Sequence, residues 1–145
     1  MKKYILPIAL LTVGLGFGLW FGHASATEAA TAAAKNRVFE MRTYYTNEGK
    51  LPDLEKRFRE HTTKIFKKHG MTNIGYWVPQ DSPKKENTLI YILAHKDRDA
   101  AKKSWDDFRN DPEWKEVAKA SEVNGKIVSK VDSVFMDPTD YSLIK

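Results

Sequence analysis

The order in which hydrophobic periods follow one another limits the folds open to this chain. Residues 37–46, RVFEMRTYYT, alternate in the manner of a β-strand. Residues 51–70 instead place apolar side chains at helical spacing, with a proline near the start and a glycine at the predicted C-cap. Two strand-like segments follow at residues 71–80 and 88–95, separated by the polar turn DSPKKEN, and they predict a hairpin.

The second half of the chain continues with a helix and a strand. A helical region begins near Arg98, and Asp111 followed by Pro112 predicts an N-cap at which the helix restarts. Residues 126–138 alternate again and predict the last strand. The complete order, β-α-β-β-α-β, is typical of an α+β domain of the ferredoxin-like type, in which two helices pack on one face of an antiparallel sheet.

The first residues have the layout of an export signal. Lys2 and Lys3 precede an apolar run over residues 4–21, and the A-x-A sequence of a cleavage site occupies residues 24–26. We therefore predict a signal peptide over residues 1–26 and a mature protein that works in the periplasm or outside the cell. If the segment stays uncleaved, it would anchor the protein and would be its predicted contact with the membrane.

After the signal, the sequence predicts a tether and one domain. Residues 27–36, TEAATAAAKN, are rich in alanine and lack a large apolar side chain, whereas residues 37–145 are long enough for a single domain with its own core. The chain has no cysteine, so its core must form without disulfides. Its formal charge is +5, of which Lys2 and Lys3 contribute two, and no block of basic residues indicates nucleic-acid binding.

The predicted sheet would leave one of its faces uncovered. A second copy of the chain is the simplest cover, because two such sheets that pack face to face can close a barrel across a two-fold axis. We expect Glu40, Arg42 and Tyr44, which alternation places on one face of the first strand, to lie inside this dimeric α/β barrel. A monomer with a solvated sheet face is the alternative.

The same side chains are the candidate ligand-binding residues, Glu40, Arg42 and Tyr44, joined by Tyr76 and Trp77 of the second predicted strand. A guanidinium holds a carboxylate or an enolate-like oxygen through two parallel hydrogen bonds, and a tyrosine donates to a carbonyl. The set therefore predicts a pocket for a small acidic or aromatic molecule. In the alternative interpretation, Glu40 and Arg42 only pair with each other and fix the register of the dimer.

Trp105 and the histidines offer further candidates. Trp105 shares a helical stripe with Phe108, which predicts either a core position or the wall of a ligand cavity. His61 falls on the apolar stripe of the first helix, where it is either a partly buried side chain or the base of a pocket. His69 lies in the last turn of that helix, where the helix dipole favours it.

Metal and cofactor sites are not indicated. His61 and His69 are too far apart along one helix to share an ion, and the chain has no cysteine ligand. The sequence also lacks a P-loop, a glycine-rich dinucleotide fingerprint, a CxxC pair and a Ser-His-Asp spacing. We therefore predict no metal and no cofactor.

Four segments carry a resemblance to a known family. FEMRTYYTNEGKL, FRE with KHGM and GYW, SWDDFRNDPEWKEV and DSVFMDPTDYS occur in this order between residues 38 and 142, and together they resemble the NIPSNAP domain. The resemblance implies a dimeric α/β-barrel fold, within a clan that also holds cofactor-free monooxygenases and small-molecule-binding proteins. It does not imply a reaction.

Three functions are consistent with these observations. The first is a homodimeric module that binds a small apolar or aromatic, acidic ligand in the cell envelope. The second is a cofactor-free monooxygenase or isomerase, with Tyr44 or His61 as proton acceptor and Arg42 stabilising an oxyanion. The third is a protein-interaction module that docks on a partner through the surface of the first helix, residues 57–69.

Overall fold

The computed structural model describes residues 37–145. The predicted signal peptide, residues 1–26, and the predicted tether, residues 27–36, lie outside the described residues. Across residues 37–145, no helix combines the length and the apolar character needed to cross a membrane.

Four antiparallel strands form one sheet in the order β2-β3-β1-β4. The first strand is therefore central, and the last strand is an edge. The strands are β1 Val38–Thr46, β2 Thr72–Trp77, β3 Thr88–His95 and β4 Val128–Met136.

The helices lie on one face of this sheet. The first helical run consists of α1, a π-helical turn and α2, and the second consists of α3 and α4. Their bounds are α1 Leu51–Arg57, the π turn Phe58–Thr62, α2 Thr63–Lys68, α3 Arg98–Asn110 and α4 Pro112–Ser121, and a 3-10 turn, Lys84–Glu86, lies between β2 and β3.

Local sequence explains where these helices begin and end. The Asp111 side chain accepts a hydrogen bond from the backbone N–H of Glu113, so it caps α4 just before Pro112, as predicted. Gly70 follows the C-cap of α2 with φ near 77°, a left-handed conformation that glycine adopts without a Cβ clash. The β-α-β-β-α-β order of the ferredoxin-like fold is confirmed.

The core lies between the helices and the sheet. Rings from both layers pack edge to face or tilted, with centroid separations such as 5.2 Å for Phe58 and Tyr91 and 5.3 Å for Phe66 and Trp105. Trp105 is therefore a core residue, in line with one of its two predicted roles. The buried hydrophobic cluster comprises Leu51, Leu54, Phe58, Ile65, Phe66, Met71, Leu89, Tyr91, Leu93, Trp105, Phe108 and Ile127.

The predicted position of Glu40, Arg42 and Tyr44 is wrong. These residues share one face, as alternation required, but their neighbours on β3 are the core residues Leu93, Tyr91 and Leu89. They therefore point towards the helices and away from the open face of the sheet. Alternation fixes which residues share a face but not which face the helices cover, and the apolar Phe39 and Met41 lie on the face of β1 that the helices leave open.

The open face of the sheet is mostly apolar. Its residues on β1 are Phe39, Met41, Thr43 and Tyr45, of which Phe39 and Met41 pair with Ala94 and Ile92 on β3. The C-terminal residues after β4 lie against one end of this face, beside the buried Phe39. Trp77 and Val134, further along the same face, remain about half exposed at 50% and 49%.

The predicted burial of His61 is also wrong. The π turn adds a residue to one turn of the helix, and the buried position in this turn goes to Thr62, whose hydroxyl donates to the carbonyl of Arg57 at 3.2 Å. The side chain of His61 is 47% exposed. A residue inserted into a helical turn has no signature in a hydrophobic period that already tolerates spacings of three and four.

Candidate functional site

A buried carboxylate forms the centre of the candidate site. The side chain of Glu40 is 1% exposed and accepts four hydrogen bonds. Oε1 accepts from Arg42 Nη1 and from Ser133 Oγ, both at 2.7 Å. Oε2 accepts from the indole Nε1 of Trp105 at 2.6 Å and from Nε2 of His95 at 3.2 Å. Three strands and α3 thus meet at one side chain.

These hydrogen bonds keep Glu40 ionised. Burial alone would raise its pKa, but the hydrogen bonds that it accepts, the one from His95 foremost, lower the pKa from 4.5 to about 2. A carboxylate with so low a pKa is a poor proton acceptor near neutral pH. Glu40 is therefore suited to hold its neighbours in place and unsuited to general base catalysis.

Arg42 lies next to Glu40 and stacks on an aromatic ring. Its guanidinium carbon is 4.2 Å from the ring centroid of Trp105 and 5.7 Å from that of Tyr44. Within residues 37–145, its buried Nε has no hydrogen-bond partner. Arg42 is thus fixed by an ion pair and a ring, and it retains unused hydrogen-bonding capacity.

An open cleft of about 480 Å³ lies above this network, between α3 and the strands β1 and β4. We call it the α3–β4 cleft. The helix contributes a single stripe, because Arg98, Lys102, Trp105 and Arg109 recur at spacings of three and four residues. The lining residues are Glu40, Arg42, Arg98, Asp99, Lys102, Trp105, Arg109, Ser133 and Phe135.

Cations outnumber carboxylates around the cleft. Arg109 pairs with Asp106, and Arg98 lies over the ring of Phe135 at 3.6 Å. Among residues 37–145, neither Arg98 nor Lys102 has a carboxylate oxygen within 4.0 Å. The outer part of the cleft therefore carries positive charge that the described residues do not neutralise by direct ion pairs.

The structure brings together three of the predicted site residues, Glu40, Arg42 and Trp105. Tyr44 and Tyr76 lie deeper under the first helical run, where both rings pack against Phe58 with centroids 5.9 Å and 5.7 Å away. Burial raises the pKa of Tyr76 well above its usual value. The two tyrosines belong to the aromatic core beside the cleft and do not line it.

Trp77 and His61 lie elsewhere. Trp77 is adjacent in sequence to Tyr76, so it points to the open face of the sheet. His61 lines a separate groove of about 540 Å³ between the first helical run and α4. The predicted set of site residues is thus divided among the cleft, the core, the open face and an outer groove.

Several residues of the Glu40 network and of the cleft were not predicted. His95 and Ser133 donate to Glu40 from two other strands, and a single polar residue in a strand gives no local signal of such a contact. The stripe of Arg98, Lys102 and Arg109 with Trp105 could have been read from helical spacing. Residues 37–145 contain no group of three or more histidine, cysteine, aspartate or glutamate side chains placed to hold a metal ion.

Comparison with known proteins gives a family and a fold. A family model described as NIPSNAP matches residues 39–143. A search of curated proteins found no match.

Solved structures from three bacteria share the fold. A NIPSNAP family protein of unknown function from Agrobacterium tumefaciens is 21% identical, with a TM-score of 0.66 over 77% of this chain and 96% of that chain. An uncharacterised NIPSNAP-like domain protein from Burkholderia xenovorans is 16% identical, with a TM-score of 0.64 over 74% and 90%. SnoaB from Streptomyces nogalater, a cofactor-independent oxygenase, is 15% identical, with a TM-score of 0.50 over 74% and 97%.

Proposed function

The chain belongs to the NIPSNAP family, and from this premise we propose that it binds a small organic molecule in the α3–β4 cleft. One observation carries the proposal: the floor of the cleft is a preformed polar network in which Glu40 holds both Arg42 and Trp105. Side chains that are locked before a ligand arrives lose little entropy when it binds. A volume of about 480 Å³ suits a small ligand.

The chemistry of the walls supports an aromatic, acidic ligand. Trp105 and Phe135 contribute rings to the lining, and Arg98 and Lys102 contribute hydrogen-bond donors that carry positive charge. Such a combination of flat apolar surface and cationic donors suits a ring that bears a carboxylate or a similar group.

The positions of the candidate proton acceptors favour ligand binding over catalysis. The enzyme alternative requires a proton acceptor within reach of the ligand, and neither Tyr44 nor His61 lines the cleft. Glu40 does line it, but its low pKa makes it a weak base. We therefore favour a module that holds its ligand, and the oxygenase activity of SnoaB stays a property of that protein.

We also propose a homodimer that forms through the open face of the sheet. Apolar side chains such as Met41, Ile92 and Val134 occupy this face, and a second copy would remove them from water. The mature protein would act in the periplasm or outside the cell, a proposal that rests on the export signal in residues 1–26.

The position of the binding site can be tested by blocking the cleft. Lys102 lines the cleft, whereas Lys103 is the next residue on α3 and is 76% exposed beside Asp107. We expect Lys102→Trp to weaken the binding of 1-naphthoate at least ten-fold in isothermal titration calorimetry, because the ring would fill the entrance. Lys103→Trp is the matched control and should change the affinity less than two-fold. Equal effects of the two substitutions would argue against the α3–β4 cleft as the binding site.

A further inference from the structure

We infer that the ligand of the α3–β4 cleft is an aromatic molecule with one anionic group, bound with its ring on the floor and its anionic group at the rim. The floor consists of Glu40, Arg42 and Trp105, and the rim consists of Arg98 and Lys102 with their neighbours on α3. This inference rests on the proposed function and adds the orientation of the ligand and the source of its charge selectivity.

The floor of the cleft has no net positive charge that could attract an anion. Arg42 Nη1 and Glu40 Oε1 are 2.7 Å apart, so the one cation of the floor is already paired. An anion placed beside this pair would approach the buried carboxylate of Glu40, where charges are poorly screened. The pKa of about 2 means that Glu40 does not relieve this repulsion by taking up a proton near neutral pH.

The floor is, however, a good surface for a flat ring. The guanidinium of Arg42 stacks on the indole of Trp105 at 4.2 Å, and the side chain of Arg42 is 18% exposed. The ring of Phe135 lies on the other side of the cleft, beneath Arg98. A planar ligand can therefore stack on the exposed side of the Arg42 guanidinium, with Phe135 beside it, without displacing a hydrogen bond of Glu40.

The rim carries charge that an anion can neutralise. Arg98 and Lys102 are exposed, and no carboxylate of residues 37–145 lies within 4.0 Å of either. Arg109 is paired with Asp106, and among residues 37–145 Asp99 is the one carboxylate that lines the rim. An anionic group between Arg98 and Lys102 would thus gain attraction while it stays partly hydrated, which avoids the cost of burying it.

The first test compares 1-naphthoate with its neutral analogue 1-naphthamide in calorimetric titrations. We expect Lys102→Glu to weaken naphthoate binding about ten-fold and to change naphthamide binding less than two-fold, because only the anion senses the reversed charge. Lys103→Glu is the matched control, since it reverses the same charge outside the cleft. A loss of affinity that is equal for both probes would overturn the inference and leave the cleft itself intact as a binding site.

The second test concerns the floor. Glu40→Gln removes the buried negative charge at nearly constant volume. If only the aromatic ring lies on the floor, we expect this substitution to change the affinities for 1-naphthoate and 1-naphthamide by the same factor. A gain of ten-fold or more for naphthoate over naphthamide would place the anionic group beside Arg42 and contradict the inference. Thermal melting of the variant shows whether it folds.

If Glu40→Gln does not fold, the salt dependence of ligand binding to the unmodified protein tests the same inference. An anion held at an exposed rim is screened by salt, so we expect the naphthoate affinity to fall several-fold between low and high ionic strength while the naphthamide affinity stays constant. A salt-independent naphthoate affinity would contradict the inference. If neither probe binds the unmodified protein, the proposed function fails with the inference.

Discussion

The two faces of the sheet differ in how their side chains are accommodated. On the face that the helices cover, a charged residue lies at the centre, and Glu40 is stabilised by four donors from four elements of the fold. On the open face, Trp77 and Val134 are about half exposed, and no helix of residues 37–145 lies above them. The buried carboxylate of the covered face is therefore satisfied within one chain, whereas the open face keeps exposed apolar side chains that the proposed dimer would cover.

This difference assigns different roles to residues that are neighbours on one strand. Substitutions on the covered face should act on folding and on the ligand, because they disturb a closed network. Substitutions on the open face should act on assembly, because the single chain already tolerates their exposure.

The largest loss of stability is expected when Glu40, the acceptor of the hydrogen-bond network, is removed. Glu40→Ala would leave Arg42, His95 and Trp105 without their common partner, with the positive charge of Arg42 largely buried. We expect a loss of about 3–5 kcal/mol in the free energy of unfolding, as is typical when one member of a buried ion pair is removed. Urea denaturation measures this loss. Asp99→Ala, at an exposed carboxylate of the same cleft, is the control and should cost less than about 0.5 kcal/mol.

The contribution of Glu40 to stability should also appear as a loss of stability in acid. The pKa of Glu40 is about 2 in the folded protein and near 4.5 when unperturbed, so folding favours the ionised form. This contribution, of the order of 3 kcal/mol, is fully present above about pH 4.5 and is lost as the pH falls towards 2. Urea denaturation from pH 6 to pH 2.5 should show a smaller decrease in stability for Glu40→Gln than for the unmodified protein. Parallel pH profiles of the two proteins would refute this assignment.

A smaller effect on stability, but a clear one on assembly, is expected on the open face. Val134→Lys would place a charge on this face, and we expect the dissociation constant of the proposed dimer to rise at least ten-fold. Val131→Lys provides a matched control, because Val131 lies on the same strand but faces the helices, opposite Tyr44. Light scattering coupled to size-exclusion chromatography distinguishes the outcomes. A protein that is monomeric before any substitution would exclude the proposed dimer.

The smallest effects are expected at the π turn, which belongs to neither face. Thr62→Val removes the hydroxyl that donates to the Arg57 carbonyl in a buried position, and we expect a cost of about 1 kcal/mol. His61→Ala, one residue earlier but exposed, should change the stability by less than about 0.5 kcal/mol. Thermal unfolding of both variants tests the order. A larger loss for His61→Ala would show that His61 is the buried residue of this turn.

The periodicity of the sequence predicted the elements of the fold and some of their ends. Gly70 and Pro112 occur where the helices stop and restart, because their backbone restrictions act locally. The candidate site depended on contacts between distant segments and was predicted only in part. Glu40, Arg42 and Trp105 were predicted as ligand-binding candidates and lie together in the structure, and their binding of a ligand stays a prediction. The donors His95 and Ser133 join them only through strand pairing.

The orientation of the sheet could not be derived from β1 alone. Phe39 and Met41 on one face are as apolar as a core requires, and Glu40 and Arg42 on the other face would normally indicate solvent. The hydrogen-bond network reverses this expectation, because its four hydrogen bonds offset the free-energy cost of burying the carboxylate.

The binding of a ligand in the α3–β4 cleft can be tested most directly by a heteronuclear NMR titration of the protein without its predicted signal peptide. Trp77, Trp105 and Trp114 then give separate indole N–H signals, and these lie on the open face, on the floor of the cleft and at the outer edge of the core. With 1-naphthoate, we predict that the Trp105 signal shifts in a saturable manner while the Trp77 signal stays fixed. A saturable shift of Trp77 with an unchanged Trp105 signal would place the ligand on the open face of the sheet and contradict the account.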